Sequence, residues 1–473
     1  MRPFRTRMTA LSLLAAAGLS ACATLPPAQA LRIPKAPETY VTAQTLAAPS
    51  RDWPADAWWT AYGDPQLDGL MAEALSGSPS LAAAAARARR AEAQEMRGRL
   101  GPTLSANASA SETKQSYNSG IPTAFVPKGY NDFGRATLDF SWELDFWGKN
   151  RSAVAAAISE TRAAEADAAE ARLMLSTNVA AAYASLARLY AERDVAERSM
   201  TVQRETSKLV ADRVTNGLDT LGEQRQAEAN PLQARADLAA IDEQIALTRN
   251  QLAALVGAGP DRGLAIARPA VSGLRPLGVP ALLAANLVGR RPDIVAARLR
   301  AEAAALRIHE AKAAFYPDVN LVAFVGVQAL HLGMLTASGS DIGQFGPAVS
   351  LPIFNGGRLK AGLRGAEADR EAAVASYDAA VTEAFRQVAD VLASNRAVQS
   401  QIASSRAALA ASEDAYRIAK LRYQGGLSTY PAVLLAEQAV LQRRRTVADL
   451  DARALVLDVQ LIRALGGGYR AAT

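Results

Sequence analysis

One cysteine and two histidines are all that 473 residues provide. A single cysteine, Cys22, excludes an internal disulfide. His309 and His331 lie far apart with no cysteine nearby, so no metal site appears at a recognisable spacing. No HExxH, GxSxG or EF-hand loop is present. Gly148-Lys149 is followed by Asn150 and lacks the upstream glycine of a phosphate-binding loop. Gly466-Gly467-Gly468 is more simply a helix end than a phosphate cradle. Carboxylates are numerous, but most alternate with arginine along helical stretches and read as a solvated, ion-paired face. Catalytic residues, a metal and a cofactor are therefore all unsupported. The formal net charge of +6 is mild, and no basic run is interleaved with aromatics, which argues against a nucleic-acid partner. Past the first two dozen residues there is no apolar run long enough for a membrane-spanning helix. If this chain crosses a membrane, it must use strands.

The N-terminus carries Arg2, Arg5 and Arg7, then a short apolar stretch from Met8 to Leu19, then Leu19-Ser20-Ala21-Cys22. This is the pattern of a secretory signal with small residues at its cleavage site. It resembles the bacterial lipobox, which implies a leader over 1–21 and lipidation of Cys22. Ala23 follows instead of the aspartate that commonly retains lipoproteins at the inner membrane, so the expected address is the outer membrane.

The rest of the chain is a duplication. RVTNGLDT at Arg213–Thr220 returns as RYQGGLST at Arg422–Thr429. GSPSLAAAAARARRAEA from Gly77 resembles RRPDIVAARLRAEAA from Arg290. LGPTLSANA from Leu100 resembles FYPDVNLVA from Phe315, and LDFWGKNR from Leu144 resembles LPIFNGGR from Leu351. The order is the same in both halves. Each half reads helix, strand, strand, long helix, turn, long helix, and two copies suggest pseudo-twofold organisation.

Arg135 to Phe146 alternates strictly. Arg135, Thr137, Asp139, Ser141, Glu143 and Asp145 share one face; Ala136, Leu138, Phe140, Trp142, Leu144 and Phe146 share the other. The charged face must meet water, and the aromatic face must meet lipid or a core. Strands are predicted at about 103–113, 134–147, 318–328 and 344–354. Each is about as long as a tilted membrane strand needs to be. Four strands are few for a soluble sandwich in so long a chain, and too few to close a barrel alone. Open edges are not tolerated in lipid. Strands from several subunits would have to combine, and three copies would supply about 12. The segments Tyr117 to Asp132 and His331 to Asp341, rich in Gly, Ser, Pro and Asn, read as loops joining strand pairs outside the cell.

From Arg151 to about Val214 there is neither proline nor glycine, and from Arg364 to Gln424 only Gly365. Helices of this length would span roughly 95 Å at 1.5 Å per residue. Leu173, Val179, Tyr183, Leu186 and Tyr190 mark a buried stripe on the first; Val381, Phe385, Val388 and Leu392 mark one on the second. The repeated phrase ends both helices: Asn216-Gly217-Leu218 and Gly425-Gly426-Leu427 supply the left-handed glycine of a helix terminus. Thr220 to Glu223 reads as a capping box opening the first return helix, and Ser428 or Thr429 is expected to cap the second, with Pro431 in its first turn. Asn230-Pro231 is expected to interrupt and kink the first return helix alone. The glycines are explained by structural punctuation. The matching arginines and exposed leucines leave a docking surface open as a second reading.

Taken together, these residues resemble the TolC-like outer-membrane factors, and among them the efflux lipoproteins of the OprM and NodT type. The resemblance rests on Trp58-Trp59 before Asp64-Pro65-Gln66-Leu67-Asp68-Gly69-Leu70, on Arg290-Arg291-Pro292-Asp293-Ile294, on Phe315-Tyr316-Pro317, on Pro352-Ile353-Phe354-Asn355-Gly356-Gly357-Arg358, and on Ala464-Leu465-Gly466-Gly467-Gly468 with Tyr469. It covers nearly the whole mature chain. It implies an α+β membrane protein, mostly α, with long coiled-coil hairpins forming a periplasmic tunnel and four strands per chain contributing to a trimeric 12-stranded transmembrane barrel. The implied function is an outer-membrane channel of a tripartite efflux pump. It would conduct drugs or other solutes passively, with energy from an inner-membrane transporter of the resistance-nodulation-division (RND) class through a periplasmic adaptor, or membrane fusion protein. The implied partners are itself as a homotrimer, that adaptor, that transporter, and outer-membrane lipid through its strands and the Cys22 acyl chains.

The same resemblance places adaptor docking at Asn216, Gly217, Leu218, Gly425, Gly426, Leu427 and Ser428, and a periplasmic gate around Arg213, Asp219, Arg422 and Tyr423. Ala432 and Leu435 occupy the stretch where several members carry aspartate, and Glu437 is the nearest acid. An acidic ring there is absent, displaced or replaced by an apolar plug. The expected organisation is a leader (1–21), a lipid-anchored segment (22–63), a first repeat (64–257), an equatorial linker (258–280), a second repeat (281–466) and a tail (467–473). Two alternatives stay open: a duct for type I protein secretion, and a structural coiled-coil lipoprotein with no pore.

Overall fold

A computed structural model of the chain describes residues 25–27, 29–98, 101–118, 120–270, 278–280 and 283–471. The predicted leader and Cys22 lie outside the described residues. In chain order come α1 (Pro65–Gly77), α2 (Pro79–Gly98), β1 (Thr103–Thr113), β2 (Asn131–Leu144), α3 (Lys149–Thr215), α4 (Leu221–Leu255), a short α5 (Asp261–Leu264), α6 (Leu283–Arg290), α7 (Pro292–Ala313), β3 (Asp318–Leu330), β4 (Asp341–Ser350), α8 (Arg358–Gln424) and α9 (Tyr430–Ala464). The duplication is quantitative. The descending helices α3 and α8 each hold 67 residues, and the returns α4 and α9 each hold 35.

The described chain divides into two compact units, and each draws on both repeats: one takes described residues within 25–33, 89–162 and 298–375; the other takes those within 34–88, 163–297 and 376–471. The first unit carries a single antiparallel sheet in the order β1-β2-β3-β4. Its register keeps the predicted faces together. Leu104 pairs with Phe140, Leu138 with Val325, Trp142 with Leu321, and Ala323 with Phe345. On the opposite face the Asn107 amide donates to Asp139 at 2.9 Å and the Thr137 hydroxyl donates to the same carboxylate at 2.7 Å. The apolar face is not covered: Leu104 is 71% exposed and Phe345 78%, with Leu138, Trp142, Val325 and Val349 also open. A soluble sandwich would bury that face against a second sheet, and the described strands form only one.

Two predicted strands shift by about three residues. β2 runs Asn131–Leu144, not 134–147, and β4 runs Asp341–Ser350, not 344–354. Pairing, not alternation, sets the ends. β2 begins where Asn131 meets Thr113, and it ends where Leu144 meets Val319, at the start of β3. β4 ends at Ser350 because its partner is Asp318, the first residue of β3, behind Pro317, which has no N–H to give. Asp145, left beyond β2, caps α3 instead: the Asn150 and Arg151 amides donate to its carboxylate at 3.3 and 2.9 Å.

The second unit is helical. On α3 the stripe through Leu175, Val179, Tyr183 and Leu186 packs with Trp58, Trp59 and Tyr62 and with Leu67, Leu70 and Met71 of α1. On α8 the stripe through Tyr377, Val381, Phe385, Val388 and Leu392 packs with Leu287 and Ile294 and with Leu457 and Leu461 of α9. Each such buried side chain contributes roughly 1.5–3 kcal/mol. Two of the sequence signatures meet here. Buried Arg291 pairs with Asp293 at 2.6 Å, and its guanidinium donates to Gln387 at 2.8 Å and to the Ala464 carbonyl at 3.1 Å. It thereby ties the start of α7 to the end of α9.

Pro231 does not interrupt its helix. α4 runs unbroken from Leu221 to Leu255 with Pro231 inside it. Pro231 has no N–H to give to the Ala227 carbonyl, and Ala227 and Ala234, on either side, are buried against neighbours. Asn230 also donates its side-chain amide to the Tyr430 hydroxyl at 3.0 Å, which ties α4 to α9.

Candidate functional site: the hairpin tips

Both tips have the same backbone. At the first, the Leu218 amide donates to the Arg213 carbonyl at 2.9 Å and the Gly217 amide to Val214 at 2.9 Å; at the second, Leu427 donates to Arg422 at 2.8 Å and Gly426 to Tyr423 at 3.0 Å. These are paired Schellman closures, and Gly217 and Gly426 take the left-handed conformation they need, at φ 70° and 73°. The next residue projects outward in each case: Leu218 is 63% exposed and Leu427 73%. Asn216, Gly425 and Gly426 are exposed and Ser428 is half-buried, so the predicted docking residues form two open turns. The return helices start differently. Thr220 and Glu223 close the capping box on α4, whereas Thr429 occupies the N-cap of α9 without a side-chain bond, and Ser428 reaches only the Thr429 carbonyl at 3.4 Å.

Of the four predicted gate residues, three meet. The Arg213 guanidinium grips Asp219 through two bonds of 3.0 and 3.2 Å and donates to the Tyr423 carbonyl at 3.2 Å. It also lies 4.5 Å from the centre of the Tyr423 ring. The Tyr423 hydroxyl donates to Asp219 in a short bond. One ion pair in the first turn is thus sealed by a tyrosine from the second hairpin. The energetics follow the geometry. Burial, then the Asp219 carboxylate, pushes the Tyr423 hydroxyl well above the ordinary phenol range. The bond to Asp219 holds Arg213 more firmly protonated than an isolated arginine. Arg422, the fourth, is exposed and stands outside this cluster.

Beneath the turns, Val210 of α3, Ala227 of α4, Tyr423 of α8, and Tyr430, Val433 and Leu434 of α9 form one buried layer. Ala432 and Leu435 point outward, so no acidic ring stands at those positions. Nor is the ring displaced to Glu437, because that residue is turned inward: it is 3% exposed, and neither carboxylate oxygen has a hydrogen-bond partner among the described residues. Burial pushes its carboxyl up to about 7, with Lys420 pulling the other way. Sequence reasoning named Glu437 only as the nearest acid. Its place on the apolar stripe Tyr430, Val433, Leu434, Glu437 and Val440 was the available signal.

The family model described as outer membrane efflux protein matches residues 70–258 and 283–467, one segment in each repeat. The chain belongs to the outer membrane efflux protein family. It is 33% identical over 450 residues to the multidrug resistance outer membrane protein MdtP of Escherichia coli strain K12, across 92% of this chain and 91% of that one. It is 28% identical over 457 residues to SilC of Salmonella typhimurium, described as a probable outer membrane lipoprotein, across 95% and 96%. Among solved structures, the outer membrane protein VceC of Vibrio cholerae is 46% identical and superimposes with a TM-score of 0.83, covering 88% of this chain and all of that one. The mostly helical chain with four antiparallel strands has the fold of VceC.

Proposed function

We propose that this chain is the outer-membrane channel of a tripartite efflux pump. Three copies complete a 12-stranded barrel, and their paired hairpins line a periplasmic duct through which drugs or other solutes pass without input of energy by the channel itself. The observation that carries this reading is the sheet: an exposed apolar face on one side, a polar network on the other, and, among the described residues, β1 and β4 each paired along only one edge. In lipid such edges must be closed by further strands. A structural lipoprotein without a pore would have no use for this sheet. The names of the relatives favour efflux over protein export. The tips Asn216–Leu218 and Gly425–Ser428 dock a periplasmic adaptor, and an RND-type transporter at the inner membrane supplies energy. Cys22, following the leader 1–21, carries the lipid anchor, and the two repeats 64–257 and 281–466 supply equivalent parts.

The test uses the full-length protein. Purified from outer membranes, it should run as a detergent-stable trimer and conduct ions in planar bilayers. In a strain lacking the gene it should restore resistance to several unrelated compounds. Gly426→Glu should keep trimer and conductance but lose resistance, because the tip alone is altered. A monomer with no conductance would sink the channel; full resistance with Gly426→Glu would sink docking at the tip.

A further inference from the structure

Glu437 is unlike the other acids in the helical unit. Many of those pair with arginine, as Glu413 does with Arg444 at 2.7 Å and Asp451 with Arg406 at 2.8 Å. Glu437 is enclosed by its own chain, with both oxygens unpartnered among the described residues. Its position is set by the hairpin layers. Val210, Ala227, Tyr423 and Tyr430 build the layer under the tips. Moving seven residues deeper on each helix reaches Gln203 on α3, Ala234 on α4, Tyr416 on α8 and Glu437 on α9. Seven residues is two turns, about 10 Å. The layer at that level holds a second buried oxygen without a partner, Oε1 of Gln203, and the Tyr416 hydroxyl, which burial and then the Glu437 charge push up to about 12. Ala234 is apolar and buried.

The charged and titratable groups facing Glu437 are few. α8 contributes Lys420 and Tyr416, and α9 contributes Tyr430. From α3, neutral Thr206 and the Glu205 carboxylate act on Tyr416, and the unpartnered Gln203 oxygen lies at the same level. Among the described residues Lys420 is the cation acting on the carboxylate, and it does not overcome burial. A carboxylate with no donor in such a place must carry a proton, or the layer must open to admit water.

We infer that Glu437 is a proton-binding switch, protonated while α9 is packed against α3 and α8, whose ionisation drives the hairpins apart above the tips. The sign follows from linkage. The closed layer raises the affinity of Glu437 for its proton, whereas a hydrated Glu437 would titrate as an ordinary glutamate. Below about pH 4.5 the proton is bound in both states and favours neither. As pH rises from there towards about 7, ionisation is possible only in the loosened state, so opening gains. Above that the gain is complete, on the order of a hundredfold in the equilibrium between the two states. This sits apart from the Arg213, Asp219 and Tyr423 cluster at the turns.

The inference rests on the channel reading, and the experiment separates the two. Wild-type trimers and Glu437→Gln trimers are compared in planar bilayers between about pH 4.5 and 8, alongside infrared difference spectra of the carboxylic C=O band. Wild type should open progressively as pH rises through this window. Glu437→Gln should hold the acid-form open probability throughout, and it should lack a protonated carboxyl band whose midpoint in wild type lies near 7. Conductance with the same pH dependence in both proteins, or a carboxyl midpoint near 4.5, overturns the switch and leaves the channel standing. No conductance from either protein at any pH overturns the channel reading, while a midpoint near 7 still supports the proton site. If Glu437→Gln fails to form trimers, the wild-type infrared midpoint decides.

Discussion

The two hairpin tips began as one sequence and now do different things. Arg213 corresponds to Arg422, Gly217 to Gly426, Leu218 to Leu427 and Thr220 to Thr429. Those shared residues give the same Schellman turn twice. The residues that differ decide what each turn holds. Asp219 in the first faces Ser428 in the second, so Arg213 finds a partner within its own turn and Arg422 does not. Val214 in the first corresponds to Tyr423 in the second, so only the second hairpin has an aromatic to lay under a guanidinium. Glu223 completes the cap of α4, and its counterpart Ala432 cannot. Backbone geometry is conserved between the halves by two glycines, while the lock across them is asymmetric, with two parts from the first turn and one from the second.

The strongest way to break this comparison is to remove the acid. Asp219→Ala leaves Arg213 largely buried with its partner gone and strands the Tyr423 hydroxyl. Truncating one member of such a pair costs about 3 kcal/mol. Hydrogen exchange of amides around both tips should speed up by two orders of magnitude or so, and passive entry of large antibiotics should rise. Arg422→Ala should change neither by more than about 0.5 kcal/mol, because that side chain is exposed. Equal effects from the two substitutions would mean that the lock is not asymmetric.

A smaller effect tests what the tips share. Gly217→Ala and Gly426→Ala each put a Cβ into open space, since nothing lies within 4 Å of either position. The cost is then backbone strain alone, about 1–2 kcal/mol for a left-handed non-glycine residue. The two values should agree within about 0.5 kcal/mol in the same exchange measurement. A clear difference would show that the turns are not equivalent in backbone terms.

How much of this could be read beforehand depended on distance along the chain. The glycine turns, the capping box at Thr220 and the alternation of Arg135 to Phe146 are local patterns, and they emerged where the sequence placed them. Strand ends did not, because β2 and β4 stop where neighbouring strands stop. Nor does Pro231 end its helix: α4 continues through it to Leu255, at a level where Ala227 and Ala234 are buried and Asn230 bonds Tyr430. At the tips, Arg213, Asp219 and Tyr423 were each nominated separately, but their union depends on two hairpins lying side by side. Arg422 repeats Arg213 in the second half, yet a matching residue without a matching partner has no matching role. Glu437 was visible as a residue and hidden as a site, because only four helices together bury it.

The mildest test tries to restore the lost symmetry. Ser428→Asp places an acid six residues after Arg422, at the spacing Asp219 has from Arg213, on a backbone that already closes in the same way. Arg422 should swing onto it. The new pair lies at an exposed turn with no aromatic beneath it, so it should stabilise the second tip by no more than about 0.5–1 kcal/mol, and less at high salt. Exchange at Gly426 and Leu427 should slow by up to about fivefold at low ionic strength and return to the wild-type rate as salt is added. A gain as large as the loss from Asp219→Ala would mean that Tyr423 and burial contribute nothing to the first lock; no gain at all would mean that the shared turn does not dictate where its arginine can reach.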